Sequence, residues 1–254
     1  MHARFTLLLA VLLPLFGTAA SAQDTAAERV DVVLQPQPAI NDNSDAFPRV
    51  AGSSDTVQRI NANLNTVDAD LRKAIQGCEQ DARESGGNAG WTRTVDVTMR
   101  GPRFLSMVAR DDPFCGGAHP NADTLALVFD LDTGRPVDWR RLLPPSLAPS
   151  ARRVKGLGGS REGLVMSPRL LSLYRSHYPA KPKDIDPANR NECRDSVQDG
   201  FTIWTDARTH GLIIQPTAQN FAAAACAVPI SLPISLLAQL GADPALVTAL
   251  QAAH

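Results

Sequence analysis

The clearest pattern in the sequence is a stripe of apolar residues at helical spacing. Ser53, Ser54 and Asp55 precede the stripe and offer side-chain oxygens that cap a helix N-terminus. The apolar positions then recur every three or four residues, at Val57, Ile60, Leu64, Val67, Leu71, Ile75 and Cys78. This period places them on one face of an α-helix. We therefore predict a long helix whose stripe, including Cys78, packs against the rest of the fold.

After residue 90 the pattern changes to alternation, as expected of half-buried strands. The predicted strands are 91–99, 104–110, 124–131, 201–205 and 212–215. The turn at 132–135 contains Gly134, which suits the positive φ of a hairpin. Residues 144–185, rich in Pro, Gly and Arg, are less regular.

Shorter helices are predicted later in the chain, where a proline occupies the first helical turn. They begin at Pro168, Pro187, Pro233 and Pro244. Helices and antiparallel hairpins in this order indicate an α+β fold. We expect an antiparallel sheet with a long packed N-terminal helix and shorter C-terminal helices.

The first 22 residues are typical of a secretory signal peptide. Arg4 is followed by an apolar run at 5–17 and by the small residues at 20–22. We expect cleavage before Gln23 and a mature protein that is periplasmic or secreted, with no membrane span. Residues 23–46 form a lead-in segment that we expect to pack loosely, and 47–254 form a single α+β domain.

Four cysteines are present: Cys78, Cys115, Cys193 and Cys226. An even number in an exported chain predicts two disulfides. Three pairings are possible. We favour the sequential one, Cys78–Cys115 with Cys193–Cys226, in which each loop holds a little over 30 residues. A zinc site is disfavoured because the cysteines are far apart and the histidines are unpaired, and no sequence motif calls for a cofactor.

Composition and charge exclude some classes of function. The chain has 25 Lys and Arg against 26 Asp and Glu, whereas nucleic-acid-binding domains are strongly basic. A content of 44% apolar and 20% charged residues is typical of a folded protein. Residues 140–183 hold ten Lys and Arg and a single acid, Glu162. If these basic residues lie on one face, that face would favour the binding of anionic envelope polymers or phospholipid headgroups. The alternative is a solvated surface without a ligand.

The most distinctive segment is the predicted loop at 114–121. The adjacent Gly116 and Gly117 permit a tight backbone path, and Pro120 favours an extended His119. We select Gly116, Gly117, Ala118, His119 and Asn121 as candidate binding residues. The alternative is a strained connection whose glycines serve only the turn.

Catalytic patterns are weak in this sequence. Ser106, His119 and Asp130 supply the residue types of a hydrolase triad, but no G-x-S-x-G motif accompanies them. Asp130 and Asp132 are candidate paired carboxylates, although aspartates at a strand end more often shape the turn. We assign no catalytic residue.

Several motifs occur in the order of a known bacterial family. They are Phe-Pro-Arg-Val at 47–50, Ile-Asn-Ala-Asn-Leu at 60–64, Phe-Leu-Ser at 104–106, Gly-Gly-Ala-His-Pro-Asn at 116–121 and Phe-Asp-Leu-Asp-Thr-Gly-Arg at 129–135. In these segments the chain resembles the extracytoplasmic domain of RsiV-like anti-sigma factors, which also accompanies PdaC-type peptidoglycan deacetylases. The resemblance spans about 47–240 and is strongest over 104–139.

The resemblance implies an α+β sensor or accessory domain at the cell wall, and the anti-sigma type binds lysozyme. We therefore expect a non-enzymatic binding domain whose partner is peptidoglycan or a lysozyme-like protein, with the 114–121 loop at the contact. Two alternatives stay open: a hydrolase of envelope polymers that uses His119 with a carboxylate, and a structural domain without a ligand.

Overall fold

The computed structural model describes residues 32–156, 159–183, 185–198, 200–217 and 221–253. The predicted signal peptide and its cleavage site before Gln23 lie outside these residues. The strands are β1 Leu34–Gln35, β2 Arg49–Val50, β3 Ala89–Arg100, β4 Phe104–Cys115, β5 Asp123–Asp130, β6 Arg135–Pro136, β7 Ser150–Gly156, β8 Gly159–Met166, β9 Gly200–Asp206, β10 Gly211–Pro216 and β11 Ile230–Pro233. The helices are α1 Asp55–Glu84, α2 Trp139–Leu142, α3 Pro168–His177, α4 Arg190–Ser196, α5 Phe221–Cys226, α6 Ile234–Gln239 and α7 Pro244–Gln251.

The strands form antiparallel sheets, so the predicted α+β class is confirmed. The first sheet has the order β3-β4-β5-β6, the second has the order β11-β10-β9-β8-β7, and β1 pairs with β2. The β7–β8 hairpin, which lies beside β9 in the sheet, was not predicted from the sequence. Its residues are rich in Arg and Gly and do not alternate, so pairing with β9 rather than local pattern identifies it as sheet.

Both faces of the first sheet contribute to apolar clusters. On β4, Leu105, Met107 and Ala109 belong to an apolar cluster with Ile60 and Leu64 of α1. The intervening Phe104 and Val108 belong to a second cluster, together with Phe201, Ile203, Leu212 and Ile214 of the second sheet. Because successive strand residues point to opposite faces, β4 contributes to two cores. The molecule therefore consists of a helix layer, a sheet and a second sheet with its own helices.

The helix α1 forms as its pattern predicted. The Ser54 hydroxyl accepts a hydrogen bond from the Val57 amide and caps the N-terminus, and the helix runs for 30 residues. Ile60, Leu64, Leu71, Ile75 and Cys78 are buried on the first sheet. Burial of side chains of this size stabilises a fold by about 1.5–3 kcal/mol each.

A charged pair is buried in the sheet beneath α1. Arg93 of β3 and Asp111 of β4 stand opposite each other and form two hydrogen bonds, 2.6 Å and 2.7 Å long. Their side chains are 1% and 0% exposed. Asp111 also accepts a hydrogen bond from the Trp91 indole at 3.0 Å, and the Arg93 guanidinium lies over the Phe47 ring. Neither ion reaches water, so each depends on the other.

Residues 32–46 are attached to the first sheet at a few points, and most of them are exposed. Val32 and Ser44 are buried, and the Ser44 hydroxyl donates to the Trp91 carbonyl at 3.1 Å. The Arg93 amide donates to the Asn43 carbonyl at 2.9 Å, and the Asp45 amide donates to the Arg93 carbonyl at 3.1 Å. Residues 32–46 make this contact through backbone hydrogen bonds, so their apolar pattern could not predict it.

The two sheets meet at Thr98 of β3. Its hydroxyl lies 2.8 Å from the Ser106 hydroxyl and 2.8 Å from the Thr205 carbonyl oxygen. The Ala207 amide donates to the Thr98 carbonyl at 2.8 Å. These bonds link β3 to β9 of the second sheet and satisfy polar groups that lie between two apolar layers.

We predict that Asp111→Ala lowers the free energy of unfolding by about 3–5 kcal/mol, because it leaves the Arg93 charge buried without a partner. Asp96→Ala is the matched control on the same pair of strands. Asp96 pairs with Arg110, and the two side chains are 53% and 43% exposed. Its loss should cost about 1 kcal/mol or less. Urea unfolding of both variants measures the difference, and equal losses would contradict a dominant role of the buried pair.

Candidate functional site

The predicted loop connects β4 to β5 and is largely exposed. Gly117, Ala118, His119 and Asn121 are exposed, whereas Gly116 is half-buried. The Asn121 amide donates to the Pro113 carbonyl at 2.9 Å and closes the loop. The His119 Nδ1 lies 3.0 Å from the Pro120 carbonyl oxygen. The fold therefore presents most of the candidate binding residues on one short surface loop.

The base of the loop is fixed to the C-terminal end of α1. Gly116 has a φ of +82°, and a Cβ at this position would lie 2.6 Å from the Ser85 hydroxyl and 2.9 Å from the Ala82 Cα. Only glycine fits this approach. Gly116 thus places the loop, whereas a Cβ at Gly117 would meet no atom within 4 Å.

Disulfides join Cys78 to Cys115 and Cys193 to Cys226, which is the sequential pairing favoured above. The first bond ties α1 to the last residue of β4, directly before the loop. The second ties α4 to the end of α5. The two closures span 37 and 33 residues, so each removes a similar amount of chain entropy from the unfolded state.

The residues of the candidate triad are not brought together. Ser106 is fully buried between the sheets, next to Thr98. His119 precedes β5 and Asp130 is the last residue of this strand, whose 8 residues span roughly 25 Å. The Asp130 carboxylate accepts hydrogen bonds from the amides of Asp132 and Thr133 at 2.9 Å and 3.2 Å. Asp130 therefore shapes the hairpin turn, as its position at a strand end indicated.

A groove lies at the end of β5 that contains Asp130, and this groove was not predicted from the sequence. The groove encloses about 900 Å³. One wall is the β5–β6 turn with Arg59 and Arg103, and the other is formed by residues of α2 and α7 and their flanks. Four arginines line it: Arg59, Arg103, Arg135 and Arg141. They come from four separate segments, so no local motif could have identified the group.

Close packing of the hairpin on the N-terminal end of α1 forms this wall. Gly134 has a φ of +68°, and a Cβ there would lie 2.5 Å from the Thr56 carbonyl oxygen. The Arg59 side chain donates through Nε to the Thr133 carbonyl at 2.9 Å. On the other wall, the Asp243 amide donates to the Leu142 carbonyl at 2.8 Å and joins α7 to α2.

Aspartates also line the groove, and each has partners within the fold. Arg103 contacts Asp130 at 3.0 Å and Asp132 at 3.5 Å. Asp138 binds Arg140 at 2.7 Å, and the hydrogen bond from Arg140 lowers the pKa of the Asp138 carboxyl below its usual value, against the opposing effect of burial. The Asp243 carboxylate accepts a hydrogen bond from the Ala245 amide at 2.7 Å and caps α7.

Part of the basic stretch contributes to this groove. Arg141 lines it, and Arg140 binds the neighbouring Asp138. Arg175 instead donates to the Asp195 carbonyl at 3.0 Å and holds α3 to α4. The side chains of Arg152, Arg153, Lys155 and Arg161 lie outside the described part of the chain.

A small cavity lies where β5 begins, next to the loop. It encloses about 40 Å³ between Asp123, Thr124, Thr202 and Gln215. The volume is enough for a water molecule rather than for a ligand.

Within the described ranges, no group of three His, Cys, Asp or Glu side chains is placed to hold a metal ion. Among the helices of those ranges, none combines the length and the apolar character needed to cross a bilayer.

No family model matches the chain, and no curated protein matches its sequence. Among solved structures, it is similar to the crystal structure of a DUF3298 family member from Bacteroides fragilis NCTC 9343. The two share 15% sequence identity with a TM-score of 0.44, over 80% of this chain and 75% of that one. A similarity this distant supports no inference about function. The resemblance to RsiV-like and PdaC-type domains stays a prediction from the sequence motifs.

We predict that the Cys78–Cys115 bond holds the loop in place. The Cys78→Ala/Cys115→Ala variant should lose about 4 kcal/mol of unfolding free energy and should exchange the Asn121 amide proton faster. The matched control is Cys193→Ala/Cys226→Ala, which should lose a similar free energy without changing Asn121. Hydrogen exchange and urea unfolding measure the two effects. Equal acceleration at Asn121 in both variants would contradict a local role.

We predict that Gly134→Ala lowers the unfolding free energy by about 1–3 kcal/mol, because the methyl group meets Thr56 and the positive φ disfavours alanine. Gly77→Ala is the control. Gly77 is an exposed residue of α1, and a Cβ at this position would meet no atom within 4 Å. Alanine there should raise stability by about 0.5–1 kcal/mol through its helix propensity. Thermal unfolding that shows the same sign for both would contradict the tight contact at Gly134.

Proposed function

We propose that this protein is an exported, non-enzymatic binding domain of the cell envelope that recognises its ligand with the loop at 116–121. The observation that carries the proposal is the exposure of Gly117, Ala118, His119 and Asn121 on a loop whose base is covalently tied to α1. A loop that is fixed before it binds loses little conformational entropy on binding.

The proposed location outside the cytoplasm is supported by the disulfides. Both pairs of cysteines are bonded, and such bonds persist in oxidising compartments. The predicted signal peptide supports the same location.

A cell-wall component is the ligand class that we favour. The Gly-Gly-Ala-His-Pro-Asn loop matches the segment in which the chain resembles wall-associated sensor and accessory domains. Its polar side chains suit the hydroxyl and amide groups of a glycopeptide. Lysozyme is the second candidate. Because lysozyme is basic, the ten Lys and Arg at 140–183 disfavour it through repulsion between like charges.

Binding rather than catalysis is supported by the placement of the polar residues. Ser106 and Asp130 lie far from His119, so these groups cannot act on one substrate atom. The hydrolase alternative would need a different carboxylate close to His119.

The test is calorimetric titration of the oxidised mature protein with soluble peptidoglycan fragments and with lysozyme, at low and at raised salt. We expect saturable binding of the fragments that weakens about tenfold or more in His119→Ala/Asn121→Ala, because the contacts of the loop are lost. Thr248→Ala, an exposed change on α7, is the control and should bind normally.

Three results would contradict the proposal. Absence of binding to both ligands would leave a structural domain. Binding that the loop variant does not weaken would place the contact elsewhere. Turnover of a wall substrate that His119→Ala abolishes would make the protein a hydrolase.

A further inference from the structure

Among the described residues, three of the arginines that line the groove beyond the β5–β6 turn form no salt bridge. Within the described part of the chain, the guanidinium groups of Arg135 and Arg141 make no hydrogen bond or ion pair. Arg59 donates only to the Thr133 carbonyl and the Thr56 hydroxyl, which are both neutral. The three arginines therefore retain donors that can point into the groove.

The nearby carboxylates form their hydrogen bonds and ion pairs with other groups, although the charge of Arg141 also acts on Asp138. Asp130 and Asp132 bind Arg103, which lies within 3.0 Å and 3.5 Å of them. Asp138 binds Arg140, and Asp243 caps α7. Four arginines and four aspartates line the groove, so its formal charge is balanced. The aspartates, however, already form ion pairs or hydrogen bonds, whereas Arg59, Arg135 and Arg141 keep donors for an anion.

From this difference we infer that the groove is a binding site for a phosphate monoester. A guanidinium presents paired donors that match the oxygens of a phosphate. A phosphate monoester has three acceptor oxygens and can bind several guanidinium groups at once, whereas a carboxylate has two. Phosphate is therefore favoured over carboxylate.

The volume of the groove indicates that the phosphate belongs to a larger molecule. About 900 Å³ is far more than a phosphate ion fills and is typical of sites for small organic ligands. Pro136, Val137 and Leu142 also line the groove and offer apolar contact to the organic part. A phosphorylated sugar or polyol fits both features.

The walls of the site are held in place before any ligand binds. Gly134 packs against Thr56 at one wall, and the bond from Asp243 to Leu142 joins the helices of the other. A fixed framework leaves only the arginine side chains to be ordered on binding. The site lies at the opposite end of β5 from the 116–121 loop, so it is independent of the function proposed for that loop.

The test is calorimetric titration of the oxidised mature protein with N-acetylglucosamine 1-phosphate. We expect saturable binding that Arg135→Gln/Arg141→Gln weakens about tenfold or more and that raised salt also weakens. Arg72→Gln is the matched control, because Arg72 is an exposed arginine of α1 outside the groove. Glutamine keeps part of the side-chain length, and equal thermal stability of the variants establishes that they are folded.

Three further ligands identify the group that is recognised. N-acetylglucosamine should not bind, and glucuronic acid should bind at least about tenfold more weakly than the phosphate ester. Inorganic phosphate that binds as tightly as the ester would support phosphate recognition with the free ion as the ligand. His119→Ala/Asn121→Ala should bind the ester normally, so failure of the groove and failure of the loop give different results.

The inference is overturned if the ester does not bind saturably, or if glucuronic acid binds equally well. It is also overturned if Arg72→Gln, which removes one charge instead of two, weakens binding by half or more of the free-energy change of the double variant, since the effect would then reflect net charge alone.

Discussion

The buried ion pair between Arg93 and Asp111 constrains most of the first sheet. The two residues stand opposite each other on β3 and β4, with their charges under α1. A shift of one residue in register would turn one of the charges to the opposite face, where Thr92 and Arg110 are exposed, and would leave the other charge buried without its partner. The pair therefore fixes the register of β3 against β4, and through the Arg93 backbone it also holds the lead-in segment at Asn43 and Asp45. The apolar clusters on either side, around Trp91 and around Leu105, depend on this register.

Burial of the first sheet on both faces limits where ligands can bind. The helix α1 covers one face and the second sheet covers part of the other, so polar groups reach solvent at the ends of the strands and at exposed residues of β3 and β4 such as Asp96 and Arg110. The 116–121 loop occupies one end of β5 and the arginine groove occupies the other. Both candidate sites thus lie at the margins of a closed core, where loops can vary without disturbing its packing.

The helix α1 positions both sites. Its 30 residues extend over roughly 45 Å. Gly134 packs on Thr56 near its first turn, and Gly116 packs on Ala82 near its last turn. In each case the absence of a side chain lets a loop backbone approach the helix, and at the second contact the Cys78–Cys115 bond adds a covalent link. One rigid element therefore sets the distance between the loop and the groove.

The sequence by itself determined the elements whose apolar side chains recur at a regular spacing, namely α1 and the strands β3, β4, β5, β9 and β10. It also determined the number of disulfides. It also indicated the 116–121 loop, because glycine, proline and histidine are conspicuous in a local segment. Only the tertiary structure decided the β7–β8 hairpin, the docking of residues 32–46 and the groove of Arg59, Arg103, Arg135 and Arg141. The physical reason is that periodicity encodes which face of an element is buried, whereas a buried ion pair or an arginine cluster depends on which distant segments meet.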